Sequence, residues 1–363
     1  VIRGNLRSRN AADIIEEIKL LVSKGVYEIN LIGQDLAAYG TGAEDNCFGD
    51  GRTFLPNGTP GSDFLTQIHT DSHGLGTDNE NQNPCSSESD SKSNAESGLA
   101  RLIRMISQIK GSFVVRLLYI HPDHFNEDIL PAMKADSRFL HYFDIPFQSG
   151  DDEIIKAMNR VGSHQKYKAV IAKIRETFPD AAIRTTFLAG FPGEKEDSFE
   201  RTKAFLRETA TDWSGCFAYS KEDDTPAYNF KGQVSKKIAE ARAAELVEIQ
   251  AKITRERLKK RVGSEYDILI EEVLSVSEEN PDEGLAIGRA PFQAPEVDGS
   301  VVVHYDRSSK SENDAIQTGR LVRVKITSSG DVDLNGDFVA DSPLNEKIAK
   351  TTGLSFAQAE VLF

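Results

Sequence analysis

The chain has 363 residues, 39% of them hydrophobic, and its 57 acidic against 43 basic residues give a net charge of −14. That length can bury a large core and suggests about two domains. No apolar run approaches the roughly 20 residues that span a bilayer, and no secretory leader is visible, which argues against a membrane protein. The three cysteines, Cys47, Cys85 and Cys216, lie far apart and form neither a C-x-x-C pair nor a disulfide framework. A reducing cytoplasm is the expected setting.

The first predicted element is a helix from about Ala11 to Lys24, capped by Asn10 and stopped by Gly25, with Ile14, Ile15, Ile18, Leu21 and Val22 at helical spacing. A strand follows over Val26 to Gly33. Residues 41–97 hold ten acidic and two basic residues in a Gly-, Ser- and Asn-rich run without periodicity. This stretch reads as a low-complexity acidic insertion, disordered or loosely ordered. The pattern then resumes with helix Gly98 to Ile109, strand Phe113 to Tyr119, helix Asn126 to Met133 and strand Phe139 to Ile145. Helices Asp151 to Met158 and Ser163 to Thr177, strand Ala182 to Ala189, helix Lys195 to Arg207 and strand Trp213 to Tyr219 complete the series. Strands alternating with helices predict a parallel sheet with right-handed crossovers. One long charged helix, Ser235 to about Arg261, connects to short β-rich runs between Gly263 and about residue 340, which fit a small all-β barrel. The tail, 341–363, is expected to form a short helix around Glu346 to Thr351 and has no assigned role.

Four segments carry the chemical signal: EINLIGQDLAAYG (Glu28 to Gly40), VRLLYIHPDH (Val115 to His124), IPFQSGDDEIIKAMNR (Ile145 to Arg160) and AAIRTTFLAGFPGE (Ala181 to Glu194). The last reads as a buried strand entering a Gly-rich turn and a helix, the edge at which parallel barrels place ligand chemistry. In this order the four resemble the radical S-adenosylmethionine methylthiotransferases over most of the chain. The resemblance implies an α/β fold: a partial (β/α)6 radical-SAM barrel lacking its first strand, in residues 1–234, then a connector helix and a TRAM-like β-barrel. It implies S-adenosylmethionine and, in the complete family enzyme, two [4Fe–4S] clusters. The C-x-x-x-C-x-x-C ligands of the cluster that binds the cofactor are absent from this chain, and IRGNLRSRN (Ile2 to Asn10) resembles the stretch just after that motif. The resemblance places the second cluster in a family domain further upstream. Cys216 reads as a buried, inert thiol and no metal ligand is assigned.

The resemblance places Gln34, Asp35, Gln148, Ser149, Arg184, Gly190 and Gly193 at the cofactor. For each, the residues also allow a structural role: Asp35 can cap a turn, and the Gln148 amide can satisfy loop backbone groups. Arg184 can pair with the cofactor carboxylate or with Asp144 or Glu194. Gly190 and Gly193 let the backbone approach a ligand where a Cβ would clash. His121 and His124 invite a metal reading, but Asp123 reads as a capping residue and no further ligands accompany them. His69 and His73 are expected to be solvated.

Two substrate classes divide the family: a tRNA adenosine, and an aspartate of the small-subunit ribosomal protein S-twelve. Between Gly263 and Asp337 sixteen acidic residues outnumber six basic ones, which repels phosphate and suits a basic ribosomal protein. The stretch GRAPFQAPEVDGSVVV (Gly288 to Val303), with A-P-E-x-D-G, and FAYSKEDDTPAYNF (Phe217 to Phe230) also resemble the ribosomal-protein (RimO) enzymes. The family mechanism is then methylthiolation of an aspartate β-carbon, initiated by a 5′-deoxyadenosyl radical and requiring an electron donor. The alternatives are a tRNA adenosine (MiaB-like) enzyme and a non-catalytic fragment that docks on ribosomes.

Overall fold

The computed structural model describes residues 6–42, 46–50, 96–223, 225–274 and 280–352. Most of the acidic insertion, with His69, His73 and Cys85, lies outside the described residues, as do residues 1–5 and the end of the tail.

Five parallel strands form one sheet in chain order: β1 (Glu28–Ile32), β2 (Val114–Leu118), β3 (Phe139–Asp144), β4 (Ala182–Ala189) and β5 (Trp213–Ala218). Helices α1 (Ala11–Ser23), α2 (Gly98–Ser107), α3 (Ile129–Lys134), α4 (Asp152–Ala157), α5 (His164–Thr177) and α6 (Glu196–Thr209) precede or link them. Their starts are set by local chemistry. Asn10, Ser97, Asp151 and Ser163 each accept an amide of the first turn, as Ser235 does for the long helix α7 (Lys236–Lys259).

A closed barrel follows, from β6 (Glu265–Val273), β7 (Glu283–Arg289), β8 (Val301–Asp306), β9 (Leu321–Ser329) and β10 (Leu334–Asp341). This is the small β-barrel the sequence predicts, with a short helix α8 (Lys310–Ala315) in the connection between β8 and β9. Closure comes through a parallel β10–β8 pair. The chain then forms α9 (Pro343–Thr352).

The strands read as nearly continuous apolar runs because both faces of the sheet are covered. Phe139, Phe143, Ile183 and Phe187 point into the core shared with the helices. Leu140, Tyr142, Ala182 and Trp213 alternate to the other, concave face, in one apolar cluster with Phe292, Ala290 and Ala294 of the barrel. Cys47, placed in the insertion by its composition, is buried in the helix-side core, and its carbonyl accepts the Ala11 N–H at 2.7 Å. Cys47 and Asp50, which pairs with Arg101 at 2.6 Å, thus make the start of that segment part of the fold.

The barrel is fixed by the loop between β7 and β8. Glu28, at the start of β1, takes Arg116 Nε on one oxygen at 2.9 Å and Arg289 Nη1 on the other at 2.7 Å. Their side chains are 8%, 0% and 7% exposed, respectively. Asp298, fully buried, accepts Tyr142 Oη–H at 2.7 Å, Arg184 Nη1 at 2.6 Å and its own loop's Ala294 N–H at 2.8 Å. Trp213 Nε1 donates to the Phe292 carbonyl at 3.2 Å. All the sheet-side partners lie in the first halves of their strands or mid-strand, so the barrel covers the N-terminal part of the concave face. The C-terminal part stays open, with Ile32 65% and Phe217 58% exposed.

Removing one member of a buried ionic cluster strands the others without solvent. Glu28→Ala is expected to lower unfolding free energy by about 3–5 kcal/mol, read by urea denaturation at neutral pH.

Candidate functional site

The C-terminal strand ends carry the loops that line this open region. Beyond β1, the chain turns through Gly33, Gln34 and Asp35 into a single 3-10 turn, Leu36–Ala38. Gln34 is exposed and lines a cleft of about 1010 Å³ together with Ile32, Asp35 and α1 residues. Among the described residues β1 pairs only with β2, and the cleft runs along its other edge.

Asp35 joins two of these loops. One carboxylate oxygen accepts the Ala37 N–H at 3.1 Å and the His121 N–H at 3.2 Å. The other meets His124 Nδ1. That hydrogen bond raises the His124 pKa above the ordinary 6.5, against a counteracting burial, while burial and Arg160 lower that of His121. The expectation that no further ligand accompanies the two histidines does not hold: Asp35, His121 and His124 bring ligand atoms within 4.8 Å of one another. Asp35 lies 86 residues before His121, beyond any local spacing pattern. As they stand the three form a hydrogen-bonded latch, since His121 Nδ1 also accepts the Asp123 N–H at 3.2 Å.

At the end of β3, Gln148 adopts a left-handed backbone, φ 71°. Its N–H donates to Thr186 C=O at 2.7 Å and its C=O accepts Leu188 N–H at 2.9 Å, leaving a half-buried amide side chain at the lip. Ser149 turns the other way. It is 1% exposed, and its hydroxyl bonds Thr202 Oγ1 and accepts the Asp151 N–H, both at 3.1 Å, inside the helix layer. Arg184 is joined to the barrel through Asp298 and the Val297 carbonyl rather than to Asp144 or Glu194. Asp144, its register partner on β3, is buried, and burial raises its carboxyl pKa against the Tyr119 N–H and Arg184.

The Gly190–Glu194 turn is closed internally. Glu194 accepts the Gly190 N–H and is gripped by Arg242 of α7, while burial raises its pKa. Gly190 has φ 80°, and a Cβ there would lie 2.3 Å from Ala239 Cβ, so its small size serves helix packing. Gly193, φ 91°, faces open space, and its N–H donates to Gly232 C=O at 2.9 Å. Tyr119, Ile32 and Phe217 complete the open end without having been singled out in the sequence, together with Asp144, which the sequence offered only as a partner of Arg184. The exposed aromatics ending β2 and β5 were the available signal.

No three cysteine thiols meet among the described residues. Cys47 is buried in the core, and Cys216 is half-buried on β5 with its pKa raised by burial. The described residues therefore do not fit an iron–sulfur cluster, and no chemical step is assigned through one.

A family model for the radical SAM superfamily matches residues 1–206, more than half of the chain, and one for the TRAM domain matches residues 262–339. The chain belongs to the radical SAM superfamily. Among its relatives is a protein of Treponema denticola named ribosomal protein uS12 methylthiotransferase RimO. It is 45% identical over 342 residues, covering 92% of this chain and 64% of that protein. Proteins of the same name from Dictyoglomus thermophilum and Thermotoga petrophila are 35% and 33% identical, covering 93% and 83% of this chain and 62% and 56% of theirs. The chain thus spans less than two thirds of these relatives. Among the described residues no helix is long and apolar enough to cross a membrane.

Two measurements follow. Because the folded His124 pKa is raised, its pairing with Asp35 stabilises fully below the unfolded value and is lost as pH rises through the folded one. The melting temperature of the parent should therefore exceed that of His124→Gln most at acid pH, with the gap narrowing above pH 6.5. Gly190→Ala should destabilise by about 2–4 kcal/mol, combining left-handed strain with the clash. Gly193→Ala should cost only about 1–2 kcal/mol, compared by chemical denaturation.

Proposed function

We propose that the complete protein is a RimO-type methylthiotransferase that places a methylthio group on the β-carbon of an aspartate in ribosomal protein uS12, in the cytoplasm and with an external electron donor. The observation that carries this reading is the 45% identity to the Treponema denticola protein over 92% of the chain. The A-P-E-x-D-G loop supports it: its aspartate, Asp298, is the buried group that holds the barrel against the sheet through Arg184 and Tyr142.

The open C-terminal half of the concave face fits a small polar cofactor in that it presents free side-chain amides and an apolar floor. Gln34, Gln148 and the open side of Gly193 are the groups we assign to S-adenosylmethionine, while Gly190 serves the packing of α7. Asp35, Ser149 and Arg184 support the same end indirectly, through the loop latch, the α6 contact and the barrel contact. Bound S-adenosylmethionine supplies the radical and methyl chemistry. The chain orients it and limits water, because the capping barrel closes the other half of the concave face.

The acidic barrel selects the macromolecular substrate. Fourteen of its sixteen carboxylates between Gly263 and Asp337 lie among the described residues, and eleven of these are exposed. A basic ribosomal protein is attracted by such a surface and an RNA backbone is repelled. The test is to incubate the complete, anaerobically reconstituted enzyme with uS12 and, separately, with tRNA. Peptide mass spectrometry should find the methylthio group on a uS12 aspartate. A methylthiolated adenosine in tRNA with unmodified uS12 would replace this reading by the MiaB-like one.

A further inference from the structure

Two neighbouring strands, β2 and β3, are each followed by a non-glycine residue in left-handed backbone, Tyr119 at φ 61° and Gln148 at φ 71°. Such residues persist only where their surroundings impose the conformation, and they gather at ligand clamps. At Tyr119 the imposing residue is Asp144. Its carboxylate accepts the Tyr119 N–H at 3.2 Å and its main-chain carbonyl accepts the next N–H, that of Ile120, at 2.9 Å. The Tyr119 carbonyl in turn accepts the Leu36 N–H at 2.9 Å, so three strand ends fix one residue.

The side chain held in this way is not used by the core. Tyr119 is 50% exposed at the same end of the sheet as Ile32 and Phe217, both more than half exposed. Ile32 lines the cleft and pairs in register with Leu118, the residue before Tyr119, and large apolar side chains exposed at such a place mark a contact surface. Asp144 itself is only 7% exposed, so a buried carboxylate is spent on the main chain of an exposed aromatic.

We propose that Tyr119 is a contact residue for the polypeptide substrate and that Asp144 is the positioning residue that holds it at the open end. This rests on the uS12 reading above. The aromatic ring receives an apolar or cationic side chain of a basic protein loop, for which ring faces and the chain's charge of −14 are both suited. Fixing the backbone beforehand reduces the ordering cost of that contact.

The test uses the complete reconstituted enzyme with uS12 as substrate. Tyr119→Gly removes the ring yet suits the left-handed backbone, so the melting temperature should hold or rise. Its KM for uS12 should increase roughly tenfold while kcat changes by less than about twofold. S-adenosylmethionine affinity should stay at the parental value. Asp144→Ala should raise KM similarly, with no further rise when combined with Tyr119→Gly. Asp144→Asn, whose amide oxygen can accept the same N–H, should restore KM to near the parental value. A parental KM for Tyr119→Gly, or a loss confined to S-adenosylmethionine affinity, overturns the contact. A parental KM for Asp144→Ala beside an impaired Tyr119→Gly overturns the positioning role. A parent enzyme inert toward uS12 overturns both the uS12 reading and this inference, which distinguishes that failure from the others.

Discussion

Charged groups removed from water must find fixed partners, and in this chain that requirement sets how the small barrel sits on the sheet. Glu28 holds Arg116 of β2 and Arg289 of β7 at once, with all three side chains nearly or fully buried. None of these ions can leave the interface without exposing the others to an apolar environment. Arg116 also donates to the Pro291 carbonyl at 3.0 Å and stacks over the Tyr142 ring, so the same guanidinium orders the loop that carries Asp298. Pairing of Asp298 with Arg184 and Tyr142 then follows on the far side of that loop. The consequence for function is spatial. With the first half of the concave face covered by the barrel, a cofactor and substrate have the strand C-termini left to them.

Much of this was legible in the sequence where the physics is local. Helix starts follow from Asn10, Ser97, Asp151, Ser163 and Ser235, each bonding an amide two or three residues on. Strand positions follow from apolar runs buried on two faces. Site residues were harder because their partners are remote. Arg184 reads as a cofactor ligand until the fold brings in Asp298, 114 positions later. Gly190 reads as a ligand-approach glycine until α7 places Ala239 against it. Ser149 sits in the motif beside Gln148, yet one residue of chain reversal sends its hydroxyl into the helix layer. Asp35 is a cap, as its residue type allows, but the histidine it pairs with is 89 positions away.

The open end combines rigidity with exposure. Its loops are tied to one another by Asp35 and Asp144, and the Gly190 turn is closed on itself by Glu194. Each accepts main-chain N–H groups, so the lip is built from carboxylates turned inward rather than toward a ligand. What is left outward is Gln34, Gln148, Tyr119, Ile32 and Phe217. Amides and apolar surface at the mouth, and carboxylates on the barrel surface, divide the work between a polar cofactor and a basic protein.

The central claim is that the buried ionic interface makes sheet and barrel one cooperative unit. The only tryptophan of the chain, Trp213, lies in that interface and donates to Phe292 C=O, so its fluorescence reports the contact directly. Equilibrium urea unfolding should be followed by Trp213 fluorescence and by far-ultraviolet circular dichroism on the same sample. Coincident transitions are the result this account requires. A fluorescence change that precedes loss of secondary structure would show the barrel leaving the sheet on its own, and would contradict it.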